Sequence, residues 1–564
     1  MRKQLKAKYY AQKMTELQGE HPKKWWQLIK DITGQKKGTN QLQGLANSCA
    51  GGNMACLADK ISLSLQAVTS DMQPLETVTR PAVQEHIPSD YIIPVEQVAT
   101  QLSKIKVNKA VGPDLIPNWL LRDMAQELAP VICAIWNSSF RESFVPQLWK
   151  SADIVNIPKV TPPVHIDKDL RPISLTPTLS KGIEHHARKW LGQWLDPALD
   201  PHQFGSRSKY STVTALTHLI HSWLLELERS GTVVRTLLID YRKAFDRVDH
   251  NILIDKMKNL GLPTFLVDWY SDFLRDRKQR VKIGDTTSEW ASVCAGVPQG
   301  TLTGPTSFLL HINDLQTACA HVKYVDDTSL WESCNISGSD SKLQQAADQV
   351  NVWTSRNKMQ LNTGKTKEMT IYFGRKKTSI NRITINNQQI ETVNTFKLLG
   401  VILNDKLTWD DHVHYIVGKA AKRLYFLRLL KRANVPSEQI IRVYESTVRS
   451  VLEYAAEVWH PGLSQTHAQQ IEHIQKRALR IALPTHDYSS ALSSTNMLTL
   501  NERREEICRN WFTNICNTSH PLNHLLPEKR TNTRLRKSVA YAIPKVRTDR
   551  LKKSPLYYGL FKFQ

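Results

Sequence analysis

The chain has 564 residues, 41% of them hydrophobic and 23% charged, so packed cores can form and wholesale disorder is excluded. Lys and Arg number 75 against 52 Asp and Glu, a net charge of +23 that calls for nucleic acid or an anionic membrane surface as partner. No run of about 18 apolar residues occurs, the N-terminus lacks the apolar stretch of a secretory signal, and the eight cysteines form no Cys-x-x-Cys pair. A reduced, intracellular chain in three or four structural units, neither secreted nor membrane-spanning, is therefore expected.

Residues 1–90 read as a basic N-terminal extension or linker. The first 30 residues carry eight Lys/Arg against two acids, with Trp25 and Trp26 in a helical-looking stretch. Residues 34–57, rich in Gly, Asn and Gln, are expected to be a loop. Residues 91–138 form a helical segment broken at Gly112-Pro113. Residues 139–404 mix strand and helix signals and predict an α+β sheet domain. TVVRTLLID (232–240) is a buried strand ending on an acid, and HVKYVDDTSLW (321–331) is a hairpin around Asp-Asp. EMTIYF (368–373) and FKLLGVIL (396–403) are further strands, separated from the others by helices such as 211–230. Residues 405–530 turn helical, with Val413, Ile416, Ala420, Leu424, Leu427 and Leu430 on one stripe and most cations off it. The tail, 531–564, is basic, and residues 529–564 hold eleven Lys/Arg and one Asp.

Against this cationic background a few acids stand out. Asp240 closes the 232–240 strand, and Asp326 and Asp327 sit together at the tip of the 321–331 hairpin. Adjacent carboxylates repel unless a cation neutralises them. A strand-end Asp facing a hairpin-tip pair makes an all-oxygen pocket suited to Mg²⁺. An isolated Asp-Asp in a turn is commonly only a solvated turn, so the neighbouring motifs decide.

Those motifs resemble the palm of reverse transcriptases. DYRKAFD (240–246), GVPQG (296–300) and YVDD (324–327) occur in that order at plausible spacings. The wider match is to non-LTR, LINE-type, jockey-like retrotransposons. It takes in KAVGPDLIP (109–117), IPK (157–159), LRPISL (170–175), QFGSRS (203–208), LNTGKTK (361–367), FKLLGV (396–401), SVLEYA (450–455), VWHPGL (458–463) and IQKRALR (474–480). The resemblance implies a right-hand polymerase: 91–138 precedes the fingers, 139–404 forms fingers and an antiparallel-sheet palm, and 405–530 forms an all-helical thumb.

It also implies residue roles. Asp240, Asp326 and Asp327 would be catalytic and hold two Mg²⁺ ions, with Mn²⁺ as a substitute and the Tyr241 carbonyl as a further ligand. Phe245 would be a steric gate against a ribose 2′-hydroxyl. Gln299 would pack beside the incoming nucleotide, and Lys159 and Arg171 would hold its triphosphate. Lys365 or Lys367 would protonate the leaving pyrophosphate; the sequence does not choose between them. Thr303 and Thr306 stand where the family prefers apolar residues, which predicts weaker packing beneath the site. Cys508, Cys516, His520 and His524 have a spacing unlike a standard zinc finger, with a packed helix the expected alternative.

No segment matches the endonuclease that accompanies such polymerases, and no ribonuclease H acid set follows residue 483, so a truncated reading frame is expected. The implied partners are an RNA template, a DNA primer or target DNA, dNTPs and a ribonucleoprotein with the element's own transcript, in cytoplasm or nucleus, with no membrane. The alternatives are an inactive nucleic-acid-binding remnant, a viral RNA polymerase and a peripheral membrane protein. YVDD in place of Gly-Asp-Asp, with Phe245 at the gate, weighs against the second, and no amphipathic helix with a continuous exposed apolar face supports the third.

Overall fold

Runs of β-branched and aliphatic residues, bounded by Gly, Pro or acids, become two five-stranded sheets. The computed structural model describes residues 8–10, 12–14, 16–17, 21–35, 41–76, 87–375, 380–529 and 540–564. The first sheet pairs β1 (Ser151–Pro158) with antiparallel β2 (Leu170–Leu175) and with parallel β4 (Arg277–Ile283). Short strands β5 (Thr286–Thr287) and β6 (Ala291–Val293) extend from β4.

The second sheet has β3 (Thr232–Ile239) at its centre. On one side β3 pairs antiparallel with β8 (Asp327–Asn335), which pairs in turn with β7 (Ala320–Tyr324). On the other side lie β9 (Lys367–Ile371) and β12 (Glu391–Thr392). Two hairpins stand apart: β10 (Thr384–Ile385) with β11 (Gln388–Gln389), and β13 (Thr395–Leu398) with β14 (Val401–Asn404). FKLLGVIL, read from its pattern as a strand and from the family resemblance of Phe396–Val401 as the hairpin that would hold the primer terminus, is a hairpin. It turns at Leu399–Gly400, where both φ values are positive (46° and 90°).

Strand β3 is buried on both faces, and its side chains alternate between two cores. Val234 and Leu238 join Leu216, Leu219 and Trp223 of the helix Thr212–Glu226. Leu237 and Ile239 join Phe308 of the helix Gly304–Ile312 and Val350 of the helix Leu343–Arg356. With helices on both faces, the centre of the sheet cannot slip register without exposing a row of aliphatics.

From Asp410 onward the chain is helical, through Asp410–Arg432, Ser437–Tyr444, Gln465–Ala482 and Leu500–Ile515. The whole predicted stripe, Val413 to Leu430, is buried against the neighbouring helices. Among the described residues no helix is long and apolar enough to cross a membrane.

Three regions differ from expectation. Residues 34–57 are not simply a loop. Gln43–Cys49 and Met54–Gln66 are helices, and the Asn53 side chain caps the second. Leu45, Leu57 and Ile61 are buried there with Ile154, Leu170 and Val281 of the first sheet. The polar composition hid the apolar spacing; residues 36–40 lie outside the described set. The N-terminal region is no loose linker either: the Trp25 indole donates to Gln439 (3.1 Å), and Asp71 pairs with Arg247 (2.7 Å). In the expected basic tail, residues 530–539 lie outside the described set. The helix Pro555–Lys562 buries Leu556 and Leu560, and Gly559 touches Phe512.

Candidate active site

Asp240 is the first residue beyond β3, where the sheet ends and a carboxylate can face solvent. Three hydrogen bonds from one loop fix it. Its N–H donates to Thr366 Oγ1 (3.2 Å), its carbonyl accepts the Asn362 N–H (2.8 Å), and Oδ2 accepts Asn362 Nδ2 (2.8 Å). Asn362 and Thr366 belong to LNTGKTK, and nothing in the sequence marked them as partners of Asp240.

The β7–β8 hairpin supplies the other acids. Tyr324 pairs with Asp327 across a two-residue turn of Val325 and Asp326. Because Ile239 pairs with Thr328, one further step in that register faces Asp240 with Asp327. Burial, then repulsion from Asp240, raises the Asp326 carboxyl above the usual range. Asp327 reaches solvent at the rim, yet the protein around its carboxyl, then Asp326 and Asp240, push it up to about 6. Asp326 and Asp327 are both raised beside Asp240, and the all-oxygen donor set of the three residues fits a hard divalent cation. The three are spread more widely than a tight metal cluster, since their oxygens do not all lie within 4.8 Å of one another.

Beyond Asp240 the chain packs inward. Tyr241 is buried, its ring edge-on to Trp353. Phe245 lies on the short turn Ala244–Arg247, half buried, its ring stacked on Phe308 at 4.6 Å. GVPQG runs beside this turn: the Val297 N–H donates to the Phe245 carbonyl (2.9 Å) and the Gly296 N–H to the Val248 carbonyl (2.7 Å). Gly296 has φ +84°, and a Cβ there would meet the Asp246 carbonyl at 2.6 Å, so only glycine fits. Gln299 Nε2 donates to Asp246 Oδ1 (3.1 Å), and its carbonyl accepts the Ser174 N–H of β2 (2.8 Å). Burial raises the Asp246 carboxyl, opposed by the Gln299 bond and by Lys243 and Lys159.

The predicted cations divide. Lys159 follows β1, and Arg171 on β2 pairs with Ile157, so one hairpin brings both together. Burial, then the charges of Arg171, Lys365 and Lys243, lowers the Lys159 ammonium, which places these four cations within electrostatic reach of one another. Lys367 does not join them: its ammonium bonds the Gly364 carbonyl (2.6 Å) and pairs with Glu391 (2.6 Å). Of the two candidates in LNTGKTK, the fold delivers Lys365 to the cationic group and spends Lys367 on the sheet edge.

Thr303 is buried without loss of packing, contrary to expectation. Its hydroxyl and N–H, with the Leu302 N–H (2.8 Å), all donate to the buried carboxylate of Glu184. An apolar residue there would leave Glu184 short of a donor. Cys508 is buried and Cys516 half buried, and neither joins a three-ligand cluster with His520 and His524.

Among the described residues one metal-like group does appear: Asp200, His202 and His321. Its geometry is that of a saturated ion pair. Asp200 Oδ2 accepts His321 Nε2 (2.6 Å) and lies 2.8 Å from Lys323 Nζ, and Oδ1 accepts the His202 N–H (2.9 Å). Burial acts to raise the Asp200 carboxyl, but those hydrogen bonds and the Lys323 charge hold it well below the usual range. A buried ammonium already neutralises the carboxylate, which leaves no charge for a metal to balance.

Residues 157–403 match the family model for reverse transcriptase (RNA-dependent DNA polymerase). Residues 409–450 match that for the N-terminal part of alkylated DNA repair protein alkB homolog 8, a stretch confined to the first C-terminal helices. The chain is 28% identical over 408 residues to the RNA-directed DNA polymerase from mobile element jockey of Drosophila melanogaster, covering 69% of this chain and 43% of the relative. It is 27% identical over 433 residues to the probable RNA-directed DNA polymerase from transposon BS of the same organism, covering 74% and 47%. It is 27% identical over 443 residues to that from transposon X-element, covering 76% and 48%. The chain thus spans less than half the length of these relatives.

Proposed function

We propose that this chain, whose residues 157–403 match the reverse transcriptase family model, is the RNA-directed DNA polymerase unit of a jockey-like non-LTR retrotransposon protein. The observation that carries the reading is the register facing Asp240 with the Asp326–Asp327 hairpin at one sheet end, inside the region that matches the family. In this reading the first sheet belongs to the fingers, the second is the palm, and the helices after Asp410 form the thumb.

Asp240, Asp326 and Asp327 would hold divalent cations, Mg²⁺ or Mn²⁺. Bound there, such a pair of ions would supply Lewis-acid activation of a primer 3′-hydroxyl and charge neutralisation for the departing pyrophosphate. The remaining work falls to the chain. Asn362 and Thr366 hold Asp240 in its rotamer and backbone position. Phe245, backed by Phe308, presents an aromatic wall that excludes a 2′-hydroxyl and so favours dNTPs. Asp246 fixes the Gln299 amide, which packs against the incoming nucleotide. Lys159, Arg171 and Lys365, whose charges act on one another, gather the triphosphate charge, and Lys365 rather than the Glu391-paired Lys367 gives a proton to the leaving group in this reading. The net charge of +23 grips the RNA template and DNA primer or target through phosphates.

Primer extension on poly(rA)/oligo(dT) with Mg²⁺ tests this. Wild type incorporates dTTP, Asp326→Ala does not, and Phe245→Ala admits UTP. A folded wild-type chain that binds duplex but extends nothing establishes the remnant instead, and UTP incorporation by wild type removes Phe245 from the gate.

A further inference from the structure

The turn that carries Asp326 is strained. Val325 has φ +62°, a region that β-branched residues rarely enter because Cβ crowds the carbonyl. Such a conformation persists only where the surroundings over-determine it. The surroundings here are residues 202–205, from a segment more than 100 positions away in sequence. The Gln203 side chain is 1% exposed, and its Oε1 accepts two N–H groups, from Gly205 (2.9 Å) and from Val325 itself (3.0 Å). The backbones interlock alongside: the Lys323 N–H donates to the His202 carbonyl (2.9 Å) and the Phe204 N–H to the Lys323 carbonyl (2.7 Å).

Gly205 completes the contact. A Cβ at that position would lie 2.5 Å from both the Val325 nitrogen and its Cγ2. Beneath, Asp200 anchors the segment to β7 through Lys323 and His321. The strained peptide is therefore gripped by a neutral amide oxygen, approached by a residue without a side chain and tied down by a buried ion pair.

We propose that Gln203 and Gly205 form a brace that positions the Asp326–Asp327 hairpin, Gln203 acting as a positioning residue through the Val325 amide and touching no substrate. The proposal rests on the polymerase reading of the aspartates. An amide suits the task better than a carboxylate: it supplies the acceptor without adding a fourth negative charge beside three that already repel.

Without the brace Val325 relaxes toward φ < 0, which rotates the following peptide and swings Asp326 off its bearing. Displacements of about 1 Å at a reacting centre cost on the order of 100-fold in rate. Gln203→Leu keeps the volume and removes the acceptor. It is expected to lower kcat by about 10–100-fold, raise the Mg²⁺ concentration for half-activity several-fold, and leave KM for dTTP and the Kd for primer–template near wild type. Gln203→Glu restores the acceptor and recovers part of kcat, and Gly205→Ala behaves like Gln203→Leu.

Hydrogen exchange of the 320–330 peptide provides a readout independent of turnover. The Val325 amide is slow in wild type and fast in Gln203→Leu, while the β7–β8 ladder amides keep their protection. Wild-type kcat and Mg²⁺ response in folded Gln203→Leu, or an unprotected Val325 amide in wild type, overturns the brace. So does a loss of activity in which KM, duplex affinity and ladder protection collapse together, since that is general unfolding. If wild type extends no primer, the polymerase reading fails while the exchange of Val325 still decides the brace.

Discussion

The end of the second sheet and the helical C-terminal region solve opposite problems. In the helix Asp410–Arg432 the apolar stripe from Val413 to Leu430 faces inward and Lys419 and Lys422 face water, so local pattern and global fold agree. At the sheet end, two carboxylates are raised beside a third and a valine sits at φ +62°. Each feature opposes folding and is held by neighbours distant in sequence. The contrast separates residues kept for stability from residues kept despite their cost.

The sharpest way to break the comparison is to exchange charge for its neutral isostere in the cleft. Asp326→Asn is expected to reduce primer extension by at least about 1000-fold, because the ions lose a ligand and the 3′-hydroxyl its activation. Steady-state extension at saturating dNTP measures it, and activity within 10-fold of wild type would refute the assignment.

The converse experiment removes bulk from the helices. Leu427 is fully buried in the predicted stripe, and Leu427→Ala is expected to cost about 2–5 kcal/mol in chemical denaturation. At low denaturant, activity per folded molecule stays near wild type, so stability and chemistry separate. A loss of kcat larger than the loss of folded fraction would tie this helix to the site.

Between these lies charge on the outer helical face. Lys419 and Lys422 are exposed on the helix Asp410–Arg432. If they contact phosphates, the double Ala variant lowers the slope of log affinity against log salt by about 1.8 at most. An unchanged slope assigns them to solvent.

The smallest effect is pH-dependent stability. Asp327 is raised to about 6 in the fold against 3.8 for a free aspartate, so the folded state holds its proton more tightly than the unfolded chain. The associated stability is present below about pH 4 and lost as pH rises through about 6. Asp327→Asn is therefore expected to raise the melting temperature of metal-free protein by about 1–3 °C at pH 7.5 and to change nothing at pH 3.5. Millimolar Mg²⁺ should cancel the gain. An equal shift at both pH values would point to packing instead.

Much of this was legible in sequence because the signals are periodic or local. The 232–240 strand, the 321–331 hairpin and the Val413–Leu430 stripe are one-dimensional patterns that burial must respect. Legibility failed where composition misled. The Gly/Asn/Gln-rich 34–57 stretch hid the helices that pack on β1 and β4, because a few apolar residues suffice when a ready-made sheet receives them. It failed again where two residues of one type compete: Lys365 and Lys367 differ only in that Glu391, on the neighbouring strand, captures the second.

The sequence by itself determined which acids lie at the ends of which elements, because alternation along a strand and a two-residue turn leave little freedom. Only the tertiary structure decided what holds them there: Asn362 and Thr366 on Asp240, Phe308 behind Phe245, Gln203 and Gly205 under Val325. The reason is physical. Periodicity encodes which face of an element is buried, whereas a single hydrogen bond or close approach between segments 100 residues apart leaves no periodic trace.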